Sequence, residues 1–130
     1  MRGAADEVGR IRHYLIASSS NGEPVGCMAI STPDAQMVNH FKDDATEAVE
    51  LLNAFVRTAY LRGSGIGTKL FQAACDYGRE NGARNLIVNS GPRYFNSWGF
   101  YDRMCDREHG IINNKYGEGR HAKTWIKRLS

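Results

Sequence analysis

The sequence predicts an α/β protein of the α+β kind, folded as a single domain over residues 1–130. Three observations carry that expectation. The chain has 130 residues, enough for one core and too few for two. Its middle reads apolar run, glycine turn, helix-period stretch and second apolar run, the order of a βαβ-like unit. No internal repeat, low-complexity tract or proline-rich linker divides it.

The elements follow in order. Ile11 to Ser18 predicts a strand. Ser18 to Pro24, "SSSNGEP", is turn chemistry with Asn21-Gly22 as a hairpin signal, and Val25 to Ser31 returns as a second strand. Thr32 to Thr46 is polar and reads as a loop with at most one short helix. Val49 to Arg57 is rather continuously apolar, which suits a buried central strand. After the glycines, Ile66, Leu70, Ala73, Ala74 and Tyr77 share one helical face, and Asn81-Gly82 gives a stop. Leu86 to Asn89 predicts a short strand that Gly91-Pro92 breaks. An aromatic segment, "RYFNSWGFYDRM", comes next. "YGEGR", Tyr116 to Arg120, reads as a glycine-rich turn, and His121 to Leu129 as the final strand.

Composition excludes more than it selects. Apolar residues at 42% and charged residues at 24% are an ordinary globular balance. No run approaches the roughly 18 apolar residues of a membrane span, and the first ten residues lack a signal-peptide core. The expectation is a soluble, cytoplasmic protein with no membrane partner. Cys27, Cys75 and Cys105 are odd in number and lack CxxC spacing, which argues against a disulfide framework or zinc site. His13, His40, His109 and His121 form no HxxxH pair, so no metal is expected. A net charge of +3 does not call for nucleic acid. The basic tail with Arg120, Lys123, Lys127 and Arg128 fits either a solvated last strand or attraction for an anionic ligand.

The segment "LRGSGIGTKLF", Leu61 to Phe71, carries the functional signal. Glycine at this density is costly for folding alone. Where such a turn opens a helix, unpartnered N–H groups and the helix dipole make an anion site, typically for phosphate. Arg62 adds positive charge. The competing account is a tight turn that needs left-handed backbone. The ATP-type loop GxxxxGK[ST] is absent, because Thr68 separates Gly67 from Lys69. The dinucleotide pattern GxGxxG fails on its final spacing.

The segment does match [RQ]xxGx[GA], as Arg62-Gly63-Ser64-Gly65-Ile66-Gly67. Phe55 to Ala74, "FVRTAYLRGSGIGTKLFQAA", closely resembles the central motif of the GNAT superfamily of acyl-CoA N-acyltransferases. "RYFNSWGFYDRM" resembles that family's late aromatic segment, with Gly99-Phe100 as its GF pair. The resemblance covers about Arg12 to Leu129. It implies a mixed, mostly antiparallel sheet with a splayed strand pair, flanking helices and a shortened N-terminus. It implies acetyl-CoA as co-substrate, with transfer of its acetyl group to an amine by direct attack on the thioester.

The resemblance also assigns residues. Phe55, Val56 and Arg57 would pair with pantetheine. Arg62, Gly63, Ser64, Gly65, Ile66, Gly67 and Thr68 would hold the pyrophosphate, and Asn89 completes the cofactor set. The usual acid, a Tyr four residues before the GF glycine, is Phe95 here, so the role passes to Tyr94. Glu50 is the candidate base; even spacing puts it on one strand face with Leu52, Ala54 and Val56. One residue more than usual separates Val56 from Arg62, which a bulge near Ala59 to Leu61 would absorb. The short N-terminus leaves the acceptor wall to Thr32–Thr46, to a second subunit as in a homodimer, or to nothing. The acceptor is a small-molecule or protein amine. The rival reading is a catalytically degenerate acyl-CoA-binding or interaction module of the same fold.

Overall fold

The computed structural model describes residues 12–57, 64–92 and 97–130. Among these residues, six strands form one sheet: β1 His13–Ser18, β2 Pro24–Ser31, β3 Ala48–Val56, β4 Asn85–Ser90, β5 Arg107–Ile112 and β6 Ala122–Arg128. Their order is β1-β2-β3-β4-β6-β5, and every neighbouring pair except β3–β4 is antiparallel. The helices are α1 Ala35–Phe41, followed by a 3-10 turn Lys42–Ala45, then α2 Ile66–Glu80 and α3 Trp98–Met104. A parallel pair needs a crossover, and α2 supplies it between β3 and β4.

The sheet is packed on both faces, which explains its alternation of buried side chains. Leu70, Phe71 and Ala74 of α2 meet Met28, Ile30, Leu51, Leu86, Val88 and Trp125 on one face. On the other, Met37 and Phe41 of α1 meet Ala48, Ile87 and Ile126. Leu86, Ile87 and Val88 therefore bury alternate faces of one central strand, and each such side chain contributes roughly 1.5–3 kcal/mol. Gly26 on β2 admits α2 closely. A Cβ there would lie 3.0 Å from the Phe55 carbonyl oxygen and 3.2 Å from Leu70.

Several sequence expectations need correction. The stretch Thr32–Thr46 is mostly helical. Asp34 starts α1 by accepting the Met37 N–H at 2.8 Å, an N-cap bond that a reading by hydropathy alone passes over. The segment after Ser97 is helix α3. Strand β5 is absent from the sequence reading because it is a charged edge strand, interrupted where Gly110 takes φ +90° at a register shift. The register of β3 also shifts. Ala29 pairs with Leu52 and Cys27 with Phe55, so Asn53 and Ala54 together oppose Met28. This bulge reverses the facing of later residues. Val56 packs with Leu51 against the α2 cluster, not on the face of Glu50 as even spacing predicts. The proposed bulge at Ala59 to Leu61 lies outside the described residues.

The basic tail is largely neutralised within the chain. Lys123 pairs with Glu108, Lys127 with Asp106 and Arg128 with Asp44. The strand itself is not a solvated one: β6 lies between β4 and β5, and Ala122, Thr124, Trp125 and Ile126 are buried.

Candidate functional site

Strands β3 and β4 part company halfway along. They pair from Ala48↔Asn85 to Leu51↔Val88. Beyond that point β3 follows β2 to Val56, while β4 follows β6 through Asn89↔Thr124 to Ser90↔Lys123. A cleft of about 700 Å³ opens at the fork. Glu50, Leu52, Ala54 and Phe55 line it from β3, and Asn89 and Ser90 from β4. Asp34 and Gln36 close it from α1, Lys115 and Tyr116 from the β5–β6 turn, and Tyr101 from α3. A smaller concavity at the opposite end of the sheet is lined by Asp43, Asp44, Glu47, Arg84 and Arg128, and holds none of the candidate residues.

Glu50 is 3% exposed at the fork. A buried carboxylate is tolerable only with hydrogen-bond donors. The Asp34 N–H donates to Glu50 Oε1 at 3.0 Å, and Asn89 Nδ2 donates to Oε2 at 3.3 Å. Asp34 itself is engaged twice more. Its Oδ1 caps α1, and its Oδ2 accepts from Lys115 Nζ at 2.8 Å. Lys115 Nζ also donates to Gln36 Oε1 at 2.9 Å, and its side chain is only 7% exposed. The Tyr116 hydroxyl donates to Asn89 Oδ1. The Tyr116 ring lies over Gly91, where a Cβ would come within 2.8 Å of it.

Tyr101 is buried against Trp125 and Phe100, with ring centroids 5.1 and 5.5 Å away. Burial pushes its phenol up to about 12, with smaller contributions from Cys105 and Tyr116. It stays protonated across the neutral range.

The glycine segment divides by facing. Gly65 takes φ +74°, and the space where its Cβ would lie is open. Ser64 Oγ accepts the Ile66 N–H at 3.3 Å, and Lys69 N–H closes the first helical turn on Gly65 at 3.0 Å. Gly67 instead faces inward, toward Phe100 at 3.5 Å and Val56 at 4.0 Å. A Cβ there, in the first turn of α2, would make only ordinary contacts, so packing alone does not require glycine. That turn sits beside the open end of β3, with Ile66 in the core cluster and Thr68 half-buried.

The sequence candidates separate accordingly. Glu50 and Asn89 come together, although Asn89 is expected to bind the cofactor and its side chain is engaged by Glu50 and Tyr116. The Phe55 side chain is 60% exposed at the cleft mouth. Arg57 continues the pairing with Val25 and forms an exposed ion pair with Glu23. Arg62, Gly63, Tyr94 and Phe95 lie outside the described residues. Asp34, Lys115 and Tyr101 are missing from the sequence reading, while Tyr116 enters it only as the border of a turn. Lys115 is 81 positions from Asp34, and no local pattern links them. Among the described residues there is no group of three or more potential metal ligands, and no helix is long and apolar enough to cross a membrane.

Comparison with known proteins agrees with this fold. Residues 5–106 match the model of the acetyltransferase (GNAT) family. No curated protein matches the chain. Solved structures do. A Bacillus cereus acetyltransferase shares 18% identity with a TM-score of 0.68, over 92% of this chain and 74% of that one. Nourseothricin acetyltransferase shares 19% identity at a TM-score of 0.73, over 92% and 66%. Aminoglycoside 6'-N-acetyltransferase, solved in complex with coenzyme A, shares 14% identity at 0.67, over 92% and 73%. The fold is common to all three. With the family model matching most of its length, the chain belongs to the acetyltransferase (GNAT) family.

Proposed function

We propose that the protein transfers the acetyl group of acetyl-CoA to the amine of a small molecule by direct attack on the thioester. The observation that carries this reading is Glu50, a buried carboxylate at the fork of a splayed parallel pair, facing a cleft of about 700 Å³. That volume lies in the range of small-ligand sites. Its described walls, including Asp34 and Gln36 beside α1, bound a space of that size, which favours a small acceptor over a protein.

The residues present fit acyl-CoA. Beyond Leu51, β3 has no β4 residue paired beside it. The edge from Leu52 to Val56 is thus suited to an extended, amide-bearing chain. Gly65 leaves open space at the N-terminus of a 15-residue helix, where backbone amides and the helix dipole favour phosphate. Arg62, Gly63, Ser64, Ile66, Gly67 and Thr68 complete that cradle in this reading. Acetyl-CoA supplies the thioester carbonyl and the leaving thiolate.

Glu50 then accepts a proton from the acceptor ammonium, directly or through one water, freeing the nitrogen lone pair. A C–N bond forms as the C–S bond breaks. Backbone N–H groups at the end of β3 steady the carbonyl oxygen as charge develops on it. Tyr94 donates a proton to the thiolate, the second proton lost by the nitrogen restores Tyr94 through solvent, and Glu50 releases its proton to solvent. The products are the N-acetylated amine and the free thiol.

Thiol release from acetyl-CoA across a panel of amines, aminoglycosides and peptides tests the reading. At least one small amine is expected to turn over, and Tyr94→Phe to slow it about tenfold, a loss near 1.4 kcal/mol. Release with no member of the panel, despite stabilisation by acetyl-CoA in a thermal scan, would leave a binder and defeat the proposal.

A further inference from the structure

Both oxygens of Glu50 are held by arms that end on adjacent residues of one turn. The first arm runs from Oε1 through the Asp34 N–H at 3.0 Å, then from Asp34 Oδ2 to Lys115 Nζ at 2.8 Å. The second runs from Oε2 through Asn89 Nδ2 at 3.3 Å, then from Asn89 Oδ1 to the Tyr116 hydroxyl. We infer that Lys115 and Tyr116 are positioning residues for Glu50, so that the turn between β5 and β6 aims the proton acceptor. The inference rests on the reading of Glu50 as that acceptor.

Each arm acts by orientation. An Asn amide has a donor end and an acceptor end, and its neighbours decide which way it points. The Glu50 carboxylate requires a donor, and the Tyr116 hydroxyl offers a proton to the other end, so both favour one orientation. Without that hydroxyl, the amide oxygen loses its donor, and the contacts of Nδ2 with the carboxylate and with Met37 Sδ remain. On the other arm, the desolvated Lys115 ammonium fixes Asp34, whose N–H fixes Oε1. Removing it takes the Lys115 cation away from a largely buried carboxylate.

The turn is built to hold these two side chains. Tyr116 N–H bonds the Arg120 carbonyl at 3.0 Å. Asn114 N–H bonds His121 Nδ1 at 2.9 Å, and Asn114 Oδ1 accepts the Gly119 N–H at 2.8 Å. Gly91 gives the Tyr116 ring its seat. A methyl group there displaces the ring without substituting any member of either arm.

The test is a set of double-mutant cycles in the thiol-release assay. Tyr116→Phe, Gly91→Ala, Lys115→Met and Lys115→Arg are measured alone and combined with Glu50→Gln. Tyr116→Phe, Gly91→Ala and Lys115→Met are expected to lower kcat about tenfold, with KM for acetyl-CoA within about twofold. Lys115→Arg should restore most of the rate. In the Glu50→Gln background each change should alter kcat by less than about twofold, because its target is already gone. The same loss in both backgrounds, or an unchanged kcat, overturns the inference. Should Lys115→Met not fold, the half-exposed Tyr116→Phe carries the test. If no amine turns over at all, the reading of Glu50 fails separately. Hydrogen exchange of the segment carrying Asp34 then still reads the arm: Lys115→Met should speed it, and unchanged exchange counts against the positioning role.

Discussion

The two halves of the β3–β4 pair differ in nearly every respect. From Ala48 to Leu51 and Asn85 to Val88 the strands are paired, and helices cover both faces. From Leu52 and Asn89 onward they separate, and the side chains face a cleft. The boundary falls at Glu50 and Asn89, the two polar residues that touch across the fork. A tightly packed lower half thus anchors an open upper half, and the carboxylate sits on paired strand one residue before the last closed pair, Leu51 and Val88. The difference teaches that stability and the proposed chemistry occupy successive stretches of the same two strands.

That contrast is breakable by substitution. Ile87→Ala, in the closed half and fully buried, should cost about 2–5 kcal/mol in denaturant unfolding. Phe55→Ala, at the open half, should stay within about 1 kcal/mol. Equal losses would mean that the upper half is as tightly packed as the lower. Gly26→Ala probes the junction, since its Cβ would press on the Phe55 carbonyl, Leu70 and Ile66. A loss of about 1–3 kcal/mol is expected from the same measurement.

Gly65→Ala should cost about 1 kcal/mol for its left-handed backbone, and Gly65→Asn less. A neutral alanine would show that the turn relaxes freely.

The smallest effect is on the alkaline side. Burial raises the Cys105 thiol from 9.0 to about 12 and the Tyr101 phenol from 10.0 to about 12. Above pH 9 the unfolded chain releases protons that the native state retains, so stability falls as pH rises toward 12. Tm measured from pH 8 to 11 should decline, and Cys105→Ala should flatten the first part of that slope. An unaltered slope would place its origin elsewhere.

How far the sequence reached depends on range. The helix from Ile66 to Glu80 and the strands around it are legible because their signals are local: apolar period, glycine turn and Asn81-Gly82 stop. The strand β3 is legible in place but not in facing. Its bulge at Asn53 and Ala54 depends on pairing with β2, and turns Val56 toward α2. Glu50 stands out as a charge in an apolar strand, and its burial agrees with that signal. Its partners do not stand out. Asp34 is 16 residues away and Asn89 is 39, and only the folded sheet unites them. Strand β5 is hidden because an edge strand needs no continuous apolar run.

The central claim is that Glu50 accepts the proton at the fork. Its most direct test compares wild type with Glu50→Gln, using the best amine of the panel and saturating acetyl-CoA. The account predicts that kcat falls about a hundredfold, the scale of a lost general base, while the stabilisation conferred by acetyl-CoA is unchanged. A Glu50→Gln protein that binds acetyl-CoA and turns over at the wild-type rate would contradict it.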